Sequence, residues 1–565
     1  MARGNKGVVC PSRRLNDHTA FPMAPVSCRD LSLRQLSSLP HRGTSAATTH
    51  RQISFRRAQS LCGPLTTTKR SQLPSAATRD DAVASLVGQL ERGVADDEEE
   101  DDDAPCIRRR GAKRQEDELA ARWREIHGCD DWADLLDPMD PLLRSELIRY
   151  GELAQACYDA FDYDLSSRYC GSCKYPRRAF FERLGMPDAA RGYAVTRYLY
   201  ATSNFRFPNF FSDKKQSRLD AKVWSQRANW IGYVAVSSDE ESARLGRRDV
   251  AIAWRGTITR LEWVSDLMDF LRPVADEGIP CPDPEVKVES GFVDLYTDKD
   301  PSCRFCKYSA REQVLLEVRK LVGHYTALGE EVSVSVTGHS LGSSLAVLSA
   351  YDIAESGANL LSVDGKRAAP VCVYSFSGPR VGNGRFRERF EGELGVKALR
   401  VVNVHDNVPR MPGIFLNEGV PEMVRRVAEG LRMPWCYSHV GVELALDHKR
   451  SPFLKDTLDP GCSHNLEAHL HLLDGYHGSG ERFVLASGRD PALVNKASDF
   501  LKDHHCVPPY WRQDENKGMV RAPDGRWIQP DRRGHLDEDH HHDGHGAVVD
   551  GDHHHGRFRL FGSRT

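Results

Sequence analysis

Between residues 332 and 353 the chain reads VSVSVTGHSLGSSLAVLSAYDI. Val alternates with Ser at the start, the pattern of a β-strand, and from Leu341 apolar residues recur at three- and four-residue spacing, the pattern of a helix. The join is Gly338-His339-Ser340-Leu341-Gly342, a G-x-S-x-G sequence with a strand before it and a helix after it. So sharp a reversal leaves no room for flanking side chains, and the two glycines remove them. The turn exposes the Ser340 hydroxyl, and the helix behind it points its N-terminal N–H groups at the spot where negative charge develops during acyl transfer. Ser340 is therefore predicted to be an acyl nucleophile.

The surrounding pattern supports that context. VAIAW (250–254), VCVYSF (371–376) and LRVVNV (399–404) read as further buried strands, and LLEVRKLVGHY (315–325) reads as a helix. Strands alternating with helices predict an α/β fold with much parallel pairing. No internal repeat is visible.

A serine hydroxyl needs a base, and the base needs a carboxylate to orient it. In this architecture the order along the chain is Ser, acid, His, with each partner on a loop after a strand. Asp406 follows LRVVNV in VVNVHDNVPRMPG, where a sheet would present it at its carboxyl end; the plain alternative is a turn aspartate before Asn and Pro. SHNLEAHLHLLDG offers His464, His469 and His471 as bases. His464 stands at the entry to a helical pattern, where a loop can aim it, and is the predicted base. Oxyanion stabilisation takes two donors: the backbone N–H of Leu341, and a group on the strand-end loop AWRGT, where Thr257 offers both an N–H and a hydroxyl. ITRLEWVSDLMDFL follows, with Leu261, Val264, Leu267 and Met268 at helical spacing, so it is either a lid with an apolar face or an ordinary core helix.

The two ends of the 565-residue chain are poor core formers. The first 79 residues hold about a dozen Arg and Lys, many Ser and Thr, and only Asp17 and Asp30 as acids. That composition predicts an organelle transit peptide over residues 1–80, the alternative being a basic tail. An acidic run, DDEEEDDD, marks a linker over 81–115. The folded domain is placed at 116–532, and the His-, Asp- and Gly-rich stretch 533–565 is read as a tail able to hold a divalent ion only loosely. The net charge of −3 gives no electrostatic case for a nucleic-acid partner, and no stretch reaches the roughly 18 apolar residues of a membrane span. Among 15 cysteines, Cys170/Cys173 and Cys303/Cys306 form two C-x-x-C pairs. They fit reduced thiols, a redox-responsive disulfide or, if brought together, a zinc site; no metal and no cofactor is assigned.

The chain resembles the lipase class 3 family, and within it the plant class I phospholipase A1 enzymes of plastids. The resemblance runs through AWRGTITRLEWVSDLMDFL, CKYSAREQVLLEVRKL, VTGHSLGSSLAVLSAYDIAE, YSFSGPRVGN, VVNVHDNVPRMPG, SHNLEAHLHLLDG and NKGMVRAPDGRWIQP, over roughly residues 120–532. It implies an α/β-hydrolase fold with Ser340, Asp406 and His464 as catalytic residues and with the segment around Trp263 as a lid. It also implies a membrane-lipid substrate met by peripheral contact, hydrolysis of the sn-1 ester of phospholipids and galactolipids, a chloroplast location, and fatty-acid release that can feed oxylipin and jasmonate synthesis. Where the family more often has Gly or Ala, this chain has Ser343. A triacylglycerol lipase at lipid droplets and a catalytically silent lipase-like scaffold are the competing readings; the scaffold reading is disfavoured because such proteins usually lose a triad member.

Overall fold

The computed structural model describes residues 116–164, 166–202, 225, 228–257, 270–361, 367–412, 436–512 and 514–530. The chain divides into two units, Met1–Glu98 and Glu99–Thr565, and every described residue lies in the second. The predicted lid residues Leu261, Trp263, Val264, Leu267 and Met268 lie outside the described residues, as do most of the two termini.

A seven-stranded sheet organises the second unit. Its strands are β1 (Tyr193–Thr202), β2 (Ala228–Ser237), β3 (Arg248–Trp254), β6 (Val332–His339), β7 (Val371–Phe376), β8 (Lys397–Asn403) and β9 (Val442–Leu446), in the order β1-β2-β3-β6-β7-β8-β9. The short strands β4 (Leu271–Pro273) and β5 (Lys287–Glu289) pair separately. Pairing from β3 through β9 is parallel, while β1 and β2 add antiparallel strands at one edge. The strands from β3 onward thus end on one side of the sheet, where loops of an open α/β sheet gather a site.

Helices cover both faces. Helix α1 (Pro141–Ala160) and helix α4 (Leu466–Gly475) belong to one core layer; α2 (Ala310–Ala327) and α3 (Leu341–Glu355) belong to the other. Strand alternation sorts residues between them. Val250, Ile252 and Trp254 of β3 join the α2/α3 layer, and Ala251 and Ala253 join the α1/α4 layer. In β6 the valines 332, 334 and 336 face α2 and α3. The intervening hydroxyls are buried and need partners: Ser335 donates to Asp249 (2.6 Å), as does Tyr150 of α1 (2.9 Å), and Thr337 donates to the Tyr150 carbonyl (3.1 Å). This explains a Val-Ser alternation in a strand with no solvent face.

The helices begin on recognisable caps. Asp140 accepts the Leu142 and Leu143 N–H groups ahead of Pro141, and Ser309 with Glu312 forms a capping box that starts α2. The starting cap of α3 is different, because its N-cap is Ser340 itself, which makes no side-chain capping bond.

Candidate active site

The site grows from the β6–α3 turn. Ser340 has φ 57° and ψ −130°, a backbone conformation that side chains disfavour, and it is buried. The neighbouring backbone fixes it: its N–H donates to the Phe376 carbonyl (3.0 Å), and its own carbonyl accepts from Ser343 N–H (2.9 Å). Close approach dictates both glycines. A Cβ on Gly338 would fall 2.2 Å from the Gly342 carbonyl oxygen, and one on Gly342 would fall 2.4 Å from the Trp254 carbonyl oxygen. Ser343 is packed into the same turn, donating to the Gly338 carbonyl (2.6 Å) and accepting from Phe376 N–H (3.1 Å). The Ser343 hydroxyl thus ties β6, β7 and α3 together.

Asp406 lies three residues past β8, in a turn closed by its N–H on the Asn403 carbonyl (2.9 Å). Its Oδ1 accepts from Val408 N–H (2.9 Å) and its Oδ2 faces His464 Nδ1 at 2.6 Å. Burial alone would raise the Asp406 pKa, but the nearby His464 and these hydrogen bonds hold it below the usual carboxylate value. His464 is itself 7% exposed, and its Nε2 is buried with no hydrogen-bond partner. The other two candidate histidines point elsewhere. His469 is held between the Asn465 carbonyl (2.7 Å) and Ser377 Oγ (2.6 Å), and His471 meets Ser451 Oγ (2.9 Å); burial lowers their pKa values to about 4 and about 3.

The strand-end loop after β3 packs on the same turn. Gly256 lies against the His339 carbonyl, where an added Cβ would come within 2.4 Å. Arg255 is buried, with its guanidinium over the Phe161 ring at 3.9 Å. It donates to the carbonyls of Trp230 (3.0 Å) and Gly256 (2.9 Å), and burial pulls its pKa down to about 10. Because a trans peptide sets its N–H opposite its carbonyl, drawing the Gly256 carbonyl to Arg255 turns the Thr257 N–H the other way. Thr257 Oγ1 is buried and has no hydrogen-bond partner. Leu341 is the first residue of α3, so its N–H has no acceptor within the helix.

Sequence reasoning missed the support behind the turn. Tyr158 of α1 meets His339 Nδ1 at 2.8 Å, and His339 Nε2 donates to the His464 carbonyl at 2.8 Å. Residue 339 therefore joins the serine turn to the histidine loop. The only signal was that position 339 is a polar residue between a strand and a tight turn. The two C-x-x-C pairs are not gathered into one ligand group among the described residues.

An elbow serine at the carboxyl end of a mostly parallel sheet, with a carboxylate–imidazole pair on later loops, is the arrangement of the serine acyl hydrolases built on the α/β-hydrolase fold. Residues 251–416 match the family described as Lipase (class 3), and the chain belongs to that family of carboxylic ester hydrolases. More narrowly, it is 60% identical over 496 residues to "Phospholipase A1-Igamma1, chloroplastic" of Arabidopsis thaliana, covering 87% of this chain and 93% of that one. It is 64% identical over 438 residues to "Phospholipase A1-Igamma2, chloroplastic" of the same plant, covering 77% and 80%. Among solved structures, a lipase from Rhizopus microsporus var. chinensis matches with a TM-score of 0.32 at 19% identity, covering 56% of this chain and 78% of that one.

Proposed function

We propose that this protein is a plastid phospholipase A1 that cleaves the sn-1 acyl ester of phospholipids and galactolipids through a Ser340 acyl-enzyme. The observation that carries the reading is a His464 whose Nδ1 is fixed on Asp406 and whose Nε2 has no hydrogen-bond partner, on a loop tied through His339 to the turn that strains Ser340. Asp406 selects the tautomer with the proton on Nδ1, so Nε2 carries the lone pair that takes the Ser340 proton. Ser340 Oγ attacks the ester carbonyl, and the oxyanion draws on Leu341 N–H and on the N–H and hydroxyl of Thr257. The protonated His464 then gives its proton to the departing lysolipid oxygen. Water, deprotonated by the same nitrogen, releases the fatty acid and restores Ser340.

The names of the two Arabidopsis thaliana relatives support phospholipid as substrate and the chloroplast as location. In this reading residues 1–80 are the transit peptide, 81–115 the linker, 116–532 the catalytic domain and 533–565 a tail. Leu261, Trp263, Val264, Leu267 and Met268 form the lid, whose apolar side meets the lipid surface. The enzyme works in the plastid stroma or at a plastid membrane surface, and the acids it frees feed oxylipin and jasmonate synthesis. Fatty-acid release from vesicles of phosphatidylcholine or monogalactosyldiacylglycerol and from triacylglycerol emulsions, with the full-length protein and Ser340→Ala, tests the proposal. Release from the polar lipids that vanishes in the variant is expected. Release from triacylglycerol alone would overturn the substrate assignment, and activity surviving in the variant would overturn the mechanism.

A further inference from the structure

A second cluster of side chains lies where β8 and β9 end side by side, outside the residues that touch substrate in the mechanism above. The turn after β8 carries His405, and the turn after β9 carries Asp447 and His448. One potential ligand atom from each of these three residues falls within 4.8 Å of the others. His405 Nε2 is 2.9 Å from Asp447 Oδ1, and the rings of His405 and His448 lie 4.6 Å apart.

His448 gives the cluster its meaning. It is 1% exposed, and its Nδ1 faces the Asn403 side chain, 3.1 Å from Nδ2 and 3.3 Å from Oδ1. Its Nε2 is buried with no hydrogen-bond partner. Neither tautomer relieves this. If Asn403 donates to Nδ1, then Nε2 holds a proton with no acceptor; if Nδ1 donates to Asn403 Oδ1, the Nε2 lone pair meets no donor. A cation resolves the second case, because a metal-bound imidazole characteristically donates its other N–H to an oxygen that fixes the ring. Asn403 is itself anchored by donating to the Ser463 carbonyl at 3.0 Å.

We propose that His405, Asp447 and His448 bind a divalent transition-metal ion of the zinc type. Two imidazoles and one carboxylate suit such an ion, whereas calcium and magnesium take all-oxygen shells. Asp447 Oδ1, 2.9 Å from His405 Nε2, also accepts from Lys449 N–H (2.9 Å), which fixes the carboxylate beside the two imidazoles. The Lys449 ammonium is drawn to Asp456 (2.9 Å), so the adjacent positive charge is partly offset. His405 and Asp447 are about one third exposed (34% and 37% of their side chains), so water completes the shell from that side. An ion here clamps the end of β9 to the turn that holds Asp406.

The test uses the full-length chain with His535, His540, His541, His542, His545, His553, His554 and His555 changed to Ser, since these would take up zinc themselves. After chelator treatment it is titrated with zinc against a chromophoric competitor, and its thermal unfolding is followed with and without zinc. One zinc per chain and a higher Tm with zinc are expected. His405→Gln and Asp447→Asn, at partly exposed positions that leave the fold intact, should each weaken that zinc at least about tenfold and remove the rise in Tm. No zinc uptake by the tail-substituted chain, or uptake and a Tm rise unchanged in both variants, would overturn the proposal.

Discussion

Asp406→Asn separates orientation of the base from every other property of the site. The amide has nearly the carboxylate's shape, so packing is kept, but the two oxygens of Asp406 face different donors. Val408 N–H donates to Oδ1 at 2.9 Å and requires an acceptor there. The variant's amide oxygen must take that position, which sets its NH2 group against His464 Nδ1, where Oδ2 stands 2.6 Å away in the parent. His464 can accept only by leaving Nδ1 unprotonated, and its proton then sits on Nε2. That tautomer cannot deprotonate Ser340. The corresponding change in other serine hydrolases lowers kcat about 10,000-fold, which at about 1.36 kcal/mol per decade is about 5.4 kcal/mol of transition-state stabilisation. Both hydrogen bonds survive in neutral form, so stability should fall by no more than about 1 kcal/mol. Hydrolysis of a chromogenic short-chain ester gives kcat and KM, and a thermal melt gives stability. A folded variant with kcat within tenfold of the parent would refute the argument that Asp406 sets the His464 tautomer.

Three further outcomes follow from particular contacts. Thr257→Val removes a hydroxyl that has no partner in the free protein, so the Tm should hold or rise while kcat falls about 100- to 1000-fold; a fall in Tm with kcat intact would mean the hydroxyl serves the fold. Gly342→Ala drives a methyl to within 2.4 Å of the Trp254 carbonyl oxygen, so the first turn of α3 must shift, at about 1–3 kcal/mol in urea unfolding and with loss of esterase activity; a parent-like unfolding midpoint would contradict the close packing. Burial holds the imidazoles of His127, His469 and His471 neutral, with pKa values of about 3, about 4 and about 3, against an unfolded value of about 6.5. The unfolded chain therefore binds more protons than the folded one below about pH 6.5, and stability drops as pH falls from there toward 4, by up to about 1.4 kcal/mol per unit for each histidine. His471→Gln, which can still bond to Ser451, should flatten that slope in urea unfolding at pH 7 and pH 5; an unchanged slope would assign the acid sensitivity elsewhere.

Much of the central sheet was legible because its strands are short apolar runs with helices between them. VCVYSF matches β7 residue for residue, and the predicted helices lie within or against α2 and α3. The elbow was legible because its glycines answer a local steric demand. Less visible was anything whose reason lies far along the chain. The antiparallel edge of β1 and β2 is one example: β1 carries Thr196 and Arg197 among its apolar residues, and β2 pairs with it across residues 203–227. The partners of the β6 hydroxyls, Asp249 and Tyr150, lie more than 80 residues away in sequence, so a buried strand with alternating serines gives no local sign of what satisfies them. His339, Arg255 and Tyr158 support the site through contacts that no local spacing encodes. Of the three nearby histidines only His464 precedes the helix and meets Asp406; His469 and His471 lie within α4 and are aimed at Ser377 and Ser451.

The conformation of Ser340 bears on how such a chain ages under selection. At φ 57° and ψ −130° glycine would sit without strain, and a side chain there costs on the order of 1–3 kcal/mol. Ser340→Gly is thus expected to melt higher than the parent while losing all turnover. A lineage no longer required to hydrolyse lipid would drift toward glycine at this position, gaining stability with each generation in which the change was tolerated. Descendants that keep a β-carbon at the elbow are those in which turnover still decides survival.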